Sequence, residues 1–344
     1  MLQAKLIKPE KIVIQEVKKP VAEDYEVLIK VKRIGICGSD IHAYFGKHPY
    51  ISCPIVQGHE FSGEIVEIGK NVKKFSPGDK VTVMPQIVCG KCYPCTHGNY
   101  HICNNLKVIG CQADGAAQEY FAVDNKLVIK LPEGMNYDQG AMVEPVAVGV
   151  HAAGRLDDIK KKKIIVMGAG PIGNLTAQVE KGLGAEAVMI TDINDYRLEI
   201  AKKCDIDFTV NTATEDLGEA IQRHFGKNQA DAIIECVGIE ETISQAVHYS
   251  RKGTDIIVVG VFSDKPRVDI GSVQDKELRL IGTLMYKEKD YLAAIDLIQS
   301  HKINLKHLIS RYFSFQDYGK AYKFIEKKKG NSMKILIDLE RGLR

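Results

Sequence analysis

Four cysteines, Cys89, Cys92, Cys95 and Cys103, are separated by two, two and seven residues in a segment broken by glycine and proline. Four thiolates on one short loop can close a tetrahedral shell around Zn²⁺ and shut it off from water. An iron–sulfur cluster competes for such a pattern, but the usual ferredoxin run has a shorter third gap and a following proline. An RNA-binding zinc knuckle also competes, yet the loop lacks a supporting basic and aromatic surround. A closed set of four cysteines points to a structural metal rather than a reactive one.

A second set of metal-binding types is spread along the chain. Cys37 stands in Gly35-Ile36-Cys37-Gly38-Ser39-Asp40-Ile41-His42, His59 and Glu60 in Gly58-His59-Glu60-Phe61-Ser62-Gly63, and Glu144 in Val143-Glu144-Pro145. Mixed sulfur, nitrogen and oxygen donors with one position left open are what a catalytic zinc requires. Each residue alone also reads blandly, as a small core cysteine, a satisfied loop histidine or a helix-start acid. The case rests on their occurring together with the cysteine loop.

The third signal is Gly168-Ala169-Gly170-Pro171-Ile172-Gly173, placed between a hydrophobic strand and a helix-length segment. Its glycines allow a tight turn, close approach to a pyrophosphate and close helix–strand packing. The helix N-terminus then offers free N–H groups to the phosphates. Asp192, about 20 residues on, ends the next strand, where a carboxylate accepts from ribose hydroxyls and repels a 2′-phosphate. The next basic residue is Arg197. NAD is therefore expected rather than NADP.

Elements must hold these groups in place. The chain has 344 residues, 45% of them apolar, with nine cysteines and a net charge of +3. That length predicts about two domains and a sizeable core. The near-balanced charge gives no argument for nucleic acid or an anionic membrane. No apolar stretch reaches the roughly 18 residues of a membrane span, and the first residues lack a signal-peptide apolar core. An odd cysteine count without a signal predicts a reducing cytoplasm, with clustered cysteines on metal. The lysine runs Lys160–Lys163 and Lys327–Lys329 read as solvated ends of elements.

Residues 1–148 read as a β-rich block, with strands at Ile12–Val17, Glu26–Arg33, Ser62–Ile68, Lys80–Val83 and Glu119–Ala122. Strands and helices then alternate from Lys163 to Thr283, which predicts βαβ crossovers and a parallel sheet. The tail reads as helix Asp290–Ser300, a strand at Ile309–Ser314, helix Gln316–Lys327 and strand Lys334–Ile337, and is expected to pack back on the first block.

With these motifs in order, the whole chain resembles the zinc-dependent medium-chain alcohol dehydrogenases. Within them it is most similar to the polyol branch of sorbitol, butanediol, threonine, L-galactonate and L-idonate dehydrogenases. Gly58-His59-Glu60-x2-Gly63-x5-Gly69-x2-Val72, the four-cysteine loop and the glycine turn carry the likeness. The resemblance implies an α/β architecture. Residues 1–148 and 287–344 would form a GroES-like β-rich catalytic domain, and 149–286 a Rossmann NAD-binding domain with a doubly wound parallel sheet. It implies two zinc ions per chain. Cys37, His59 and either Glu60 or Glu144 would hold the catalytic one, and the four cysteines the structural one. Ser39 and His42 match the family's proton relay, and Gly168, Gly170, Pro171, Ile172, Gly173, Asp192 and Arg197 its cofactor site.

The implied reaction moves a hydride between NAD and a secondary alcohol of a polyol, vicinal diol or sugar acid. The implied assembly is a homodimer or homotetramer. Tyr44, Phe45, His48, Cys111, Met285 and Tyr286 match pocket positions. Met285 stands where animal-type sorbitol dehydrogenases carry arginine, so an acid substrate would need its carboxylate met by Lys47, His48 or Lys287. A threonine-type amino-alcohol dehydrogenase is the alternative within the family. A non-catalytic NAD-binding protein on the same fold is the alternative outside it.

Overall fold

The computed structural model describes residues 1–341. The chain forms two compact units, Met1–Glu144 with the segment from Ile309 onward, and Pro145–Leu308.

The first unit opens with β1 (Leu2–Lys8) and β2 (Lys11–Glu16), an antiparallel pair, then β3 (Glu26–Gly35), α1 (Gly38–Tyr44), β4 (Glu60–Ile68) and β5 (Lys80–Val83). A small lobe follows, with β6 (Gln86–Ile87), α2 (Tyr93–Thr96) and β7 (Lys107–Val108). The unit continues with β8 (Tyr120–Asp124), β9 (Val128–Lys130) and the start of α3 (Tyr137–Ala153). Strand β3 is the spine. It pairs antiparallel with β4 and with β8, and its residues Val27, Leu28 and Ile29 are fully buried. Near-continuous apolar burial on a ten-residue strand reflects a sheet covered on both faces.

The second unit contains β10 (Lys163–Met167), α4 (Pro171–Leu183), β11 (Ala187–Asp192), α5 (Asp195–Lys203), β12 (Phe208–Asn211) and α6 (Leu217–Phe225). It goes on with β13 (Ala232–Glu235), α7 (Glu240–Tyr249), β14 (Asp255–Val258), α8 (Ile270–Asp275), β15 (Arg279–Gly282) and α9 (Glu288–Gln299). The six strands are all parallel and lie in the order β12-β11-β10-β13-β14-β15. This is the doubly wound 3-2-1-4-5-6 order, which turns back at β10 and leaves a crevice at the strands' carboxyl ends.

The chain then returns to the first unit through β16 (Ile309–Ser314), α10 (Tyr318–Lys328) and β17 (Lys334–Asp338). Strand β17 pairs antiparallel with β3, Leu336 opposite Gly35.

The units divide at Glu144 and Leu308, against the expected 148 and 287. The difference lies in α3 and α9. Helix α3 runs through the first boundary without a break, so no loop marks it in the sequence. Helix α9 is tied into the second unit by a buried pair, His151 Nδ1 to Asp290 Oδ2 at 2.7 Å. Two further bonds anchor the chain just beyond α9. Lys302 Nζ donates to Gly182 O at 2.9 Å, and Asn304 N donates to Gln178 Oε1. Among the described residues no helix is long and apolar enough to cross a membrane.

Candidate active site and cofactor turn

The sulfurs of Cys89, Cys92, Cys95 and Cys103 lie within 4.8 Å of one another. Three of the separations are 3.4 Å (Cys92–Cys95), 3.7 Å (Cys92–Cys103) and 3.5 Å (Cys89–Cys103). A tetrahedron with arms of about 2.3 Å has edges of about 3.8 Å, so the four thiols fit a single zinc. That spacing leaves no room for a multi-iron cluster. Backbone N–H groups of Cys89 and Asn105 donate to Cys103 Sγ, each at 3.3 Å. Those of Lys91 and Cys92 draw the Cys89 thiol down to about 6. Burial and the neighbouring sulfurs push the Cys95 thiol the other way, up to about 12.

Cys37, His59 and Glu60 bring their donor atoms within 4.8 Å of one another. The sheet register explains how. Glu60 lies opposite Gly35 across β3–β4, and Gly35 lies opposite Leu336 of β17. Gly35 must lack a side chain here, because a Cβ would stand 2.2 Å from Glu60 Oε2. Lys334, two residues before Leu336, reaches the same point. Its Nζ donates to both Glu60 oxygens at 2.6 and 2.7 Å, with both side chains buried. Burial alone would pull this ammonium down. The charges of Glu60, Cys37 and Glu144 more than offset that and raise it above its ordinary value.

Cys37 sits at the N-terminal end of α1, where its N–H donates to Asp40 Oδ2 at 3.0 Å. Asp40 is 1% exposed, and its other oxygen lies 3.7 Å from His59 Nδ1. At that distance the oxygen makes no hydrogen bond to the ring, and it acts on His59 through its charge. Burial opposes a charge on His59, but Asp40 and Cys37 raise its pKa well above the usual value. Cys111 Sγ stands 4.0 Å from the same nitrogen. Ser39 is half-buried and His42 exposed, three residues apart on α1 and so on one face. Glu144 is buried on α3 but falls outside the gathered three, its charge reaching Lys334.

In the second unit, β10 turns into α4 through the glycine motif. Gly168 has φ +95°, and a Cβ on Gly173 would meet Gly168 O at 1.7 Å. Pro171 opens α4, where its missing N–H costs nothing. Asp192 Oδ2 accepts from Ala169 N at 2.8 Å, its Oδ1 accepts from Asn194 N at 3.0 Å, and Arg197 Nη1 lies 3.5 Å from Oδ2. Gly168, Gly170, Asp192, Arg197, Cys236 and Val237 help line a cavity of about 280 Å³. Glu235 at the end of β13 is fully buried. Its Oε1 accepts from Val237 N, Gly238 N and Thr242 Oγ1 at 2.7–2.9 Å, which fixes the cavity's far wall.

Sequence reasoning missed Asp40, Lys334 and Glu235. Asp40 was readable as the fourth residue of Cys37-Gly38-Ser39-Asp40, three beyond a helix start. A lysine inside the apolar run Met333–Ile337 was the signal for Lys334. Glu235 offered no signal beyond its place at a strand end.

Residues 23–133 match the alcohol dehydrogenase GroES-like domain and 171–300 the zinc-binding dehydrogenase domain. The chain is 35% identical over 328 residues to sorbitol dehydrogenase of Halalkalibacterium halodurans, covering 94% of each chain. It is 36% identical over 316 residues to 2-dehydro-3-deoxy-L-galactonate 5-dehydrogenase of Pseudoalteromonas atlantica, covering 91% of each. Its fold is similar to the rspB alcohol dehydrogenase of Escherichia coli CFT073 solved with NADH, with TM-score 0.92, 32% identity and coverage of 98% and 99%. The chain belongs to the zinc-dependent medium-chain alcohol dehydrogenase family. It is a zinc-type oxidoreductase with a GroES-like and a Rossmann-type domain.

Proposed function

We propose that the protein oxidises a secondary alcohol of a polyol, vicinal diol or sugar acid with NAD, and can run the reverse reduction. The observation that carries this is the convergence of one sulfur, one nitrogen and one oxygen donor, from Cys37, His59 and Glu60. Three mixed ligands leave a fourth position for substrate. A zinc held there supplies the Lewis acidity that lets an alcohol give up its proton near neutral pH. Glu144 stands by as the second carboxylate. Cys89, Cys92, Cys95 and Cys103 would hold a second zinc.

Ser39 takes the substrate proton and His42, exposed on the same face of α1, hands it to solvent. Asp40 places a negative charge beside the His59 ring. Gly168, Gly170, Pro171, Ile172 and Gly173 give the pyrophosphate its backbone cradle, with Arg197 beside it. Asp192 accepts from the adenosine ribose and disfavours a 2′-phosphate. The relatives named for sorbitol and a deoxy-galactonate support an alcohol with several hydroxyls.

The test is reduction of NAD and NADP at 340 nm with sorbitol, xylitol, 2,3-butanediol, threonine, L-galactonate and L-idonate. Wild type is compared with Cys37→Ser, and zinc is counted in both. We expect NAD-linked turnover with two zincs per chain. The variant should keep one zinc and lose more than about 100-fold in activity, as removal of a ligand at a catalytic metal implies. Turnover of threonine alone would favour the amino-alcohol reading. NADH binding without turnover in any metal state would favour a non-catalytic role.

The protein is further proposed to be a cytoplasmic homodimer or homotetramer. All nine cysteines are unpaired, as suits a reducing compartment. Strand β15 is the edge of its sheet, and Leu280 and the neighbouring Leu284 are 39% and 54% exposed. An apolar open edge invites pairing with a second copy. Light scattering should return at least twice 38.2 kDa, and Leu280→Lys should lower it. A wild-type monomer at micromolar concentration would sink this assembly.

A further inference from the structure

The cavity beside the glycine turn has a wall that the phosphate and ribose contacts leave unused. It lies at the carboxyl ends of β10, β11, β12 and β13, and α7 lines one side of it. At about 280 Å³ it falls at the small end of small-molecule sites, a size for a nucleoside rather than a whole dinucleotide. Beyond Asp192 its lining turns apolar. Ile193, Val237 and Ile239 all line it and are 73%, 41% and 46% exposed. Large aliphatic side chains left open around one cavity suit the flat faces of a ring, which would cover them.

The polar part of that lining comes from α7. Glu241 and Gln245 are four residues apart, so on one face of the helix, and both line the cavity. Among the described residues neither side chain has a hydrogen-bond or ion-pair partner. The residues on either side of Glu241 are engaged. Glu240 pairs with Arg267 at 3.1 Å, and Thr242 Oγ1 donates to Glu235 Oε1 at 2.7 Å. Glu241 therefore keeps its full acceptor capacity. Its place in the first turn of α7 lets the helix N-terminus support the charge without a counter-ion. A carboxylate accepts and cannot donate, whereas the Gln245 amide does both. Glu241 can thus tell two purine edges apart. At carbon 6 adenine carries an amine, which donates, and hypoxanthine carries an oxygen, which only accepts.

We propose that Glu241 accepts a hydrogen bond from the exocyclic amine of the cofactor's adenine, so that the site selects an adenine dinucleotide and rejects its deaminated form. The inference rests on the NAD reading above and deepens it. The apolar side chains hold either base by its faces, and the carboxylate sorts them by the edge.

The experiment measures dissociation constants for NADH and for reduced nicotinamide hypoxanthine dinucleotide, both read by nicotinamide fluorescence. Wild type, Glu241→Leu and Glu241→Gln are compared as zinc-loaded proteins, with zinc content and thermal midpoint as controls for folding. Wild type should prefer NADH by about tenfold, the size of one hydrogen bond to a charged group. Glu241→Leu should bring the two constants within about twofold of each other by weakening NADH. Glu241→Gln, whose amide can donate to an oxygen at carbon 6, should bring them together by strengthening the hypoxanthine form instead. Loss of packing alone would not produce that split. Equal affinities in wild type, or an equal fall on both dinucleotides in Glu241→Leu, would overturn the inference while leaving the dehydrogenase intact. A wild type that binds neither dinucleotide would bring down the proposed use of NAD, and this inference with it.

Discussion

Lys334→Met is expected to destabilise the zinc-free protein by about 3–5 kcal/mol, the cost of stripping one partner from a buried ion pair. Glu60 is fully buried and both its oxygens rest on that ammonium. Without it, Glu60 is left without its partner in a site that also holds Cys37 and Glu144. A bound zinc would restore the missing positive charge, and the deficit should shrink on loading. Zinc itself should bind more tightly, because the ammonium no longer competes for Glu60. Urea unfolding with and without zinc, alongside competition with a chromogenic chelator, measures both. Equal destabilisation in the two metal states would show that Lys334 supports packing alone.

That cluster shows why only part of the site was legible in the sequence. The four-cysteine loop and the glycine turn are local, so their spacing carries their geometry: the four sulfurs gather within one loop, and Gly173 packs against Gly168 within one turn. The alternation from Lys163 onward is likewise local. It implied βαβ crossovers and a parallel sheet, and the structure has a parallel sheet of six strands there, because each strand's apolar run is bounded by turn residues. Lys334 and Glu60 are 274 residues apart and meet only through the β17–β3–β4 register. No window of sequence contains that register. Helix α1 was missed because seven residues give barely two turns, too few for a periodic signal. Helix α3 was missed for a different reason. It is apolar almost all round and contains Pro145, so it shows neither amphipathic stripe nor clean interior. The boundary near 144 was blurred with it. Glu180 makes the same point in reverse, since a charged residue near the end of an amphipathic helix reads as solvent-facing.

Glu180 is instead fully buried in α4, and among the described residues neither carboxyl oxygen has a hydrogen-bond partner. Its neighbour Gln178 on the same helix is bonded at both ends, to Asn174 and to Asn304, whereas Asn174 Nδ2 and Thr176 Oγ1, like Glu180, have no hydrogen-bond partner among the described residues. Burial pushes the Glu180 pKa from 4.5 up to about 8. The folded state therefore holds a proton that the unfolded chain releases near 4.5. The sign follows from that difference. Below pH 4.5 both states are protonated and there is no electrostatic cost. From there to pH 8 each unit removes about 1.4 kcal/mol of stability, and above pH 8 the loss levels off, at a total of order 5 kcal/mol. Glu180→Met removes the titration and keeps the volume. It should be more stable than wild type by several kcal/mol at pH 9, with the advantage shrinking steadily toward pH 5. Glu180→Gln should flatten the same pH dependence while keeping polar groups in an apolar site, so it should gain less than methionine at every pH. Chemical unfolding of the three proteins from pH 5 to 9 gives these differences directly, and titrations elsewhere in the chain cancel between them. A gap between wild type and Glu180→Met that stayed constant across that range would mean the carboxyl finds a charged-state partner when it ionises, and the burial argument would fail.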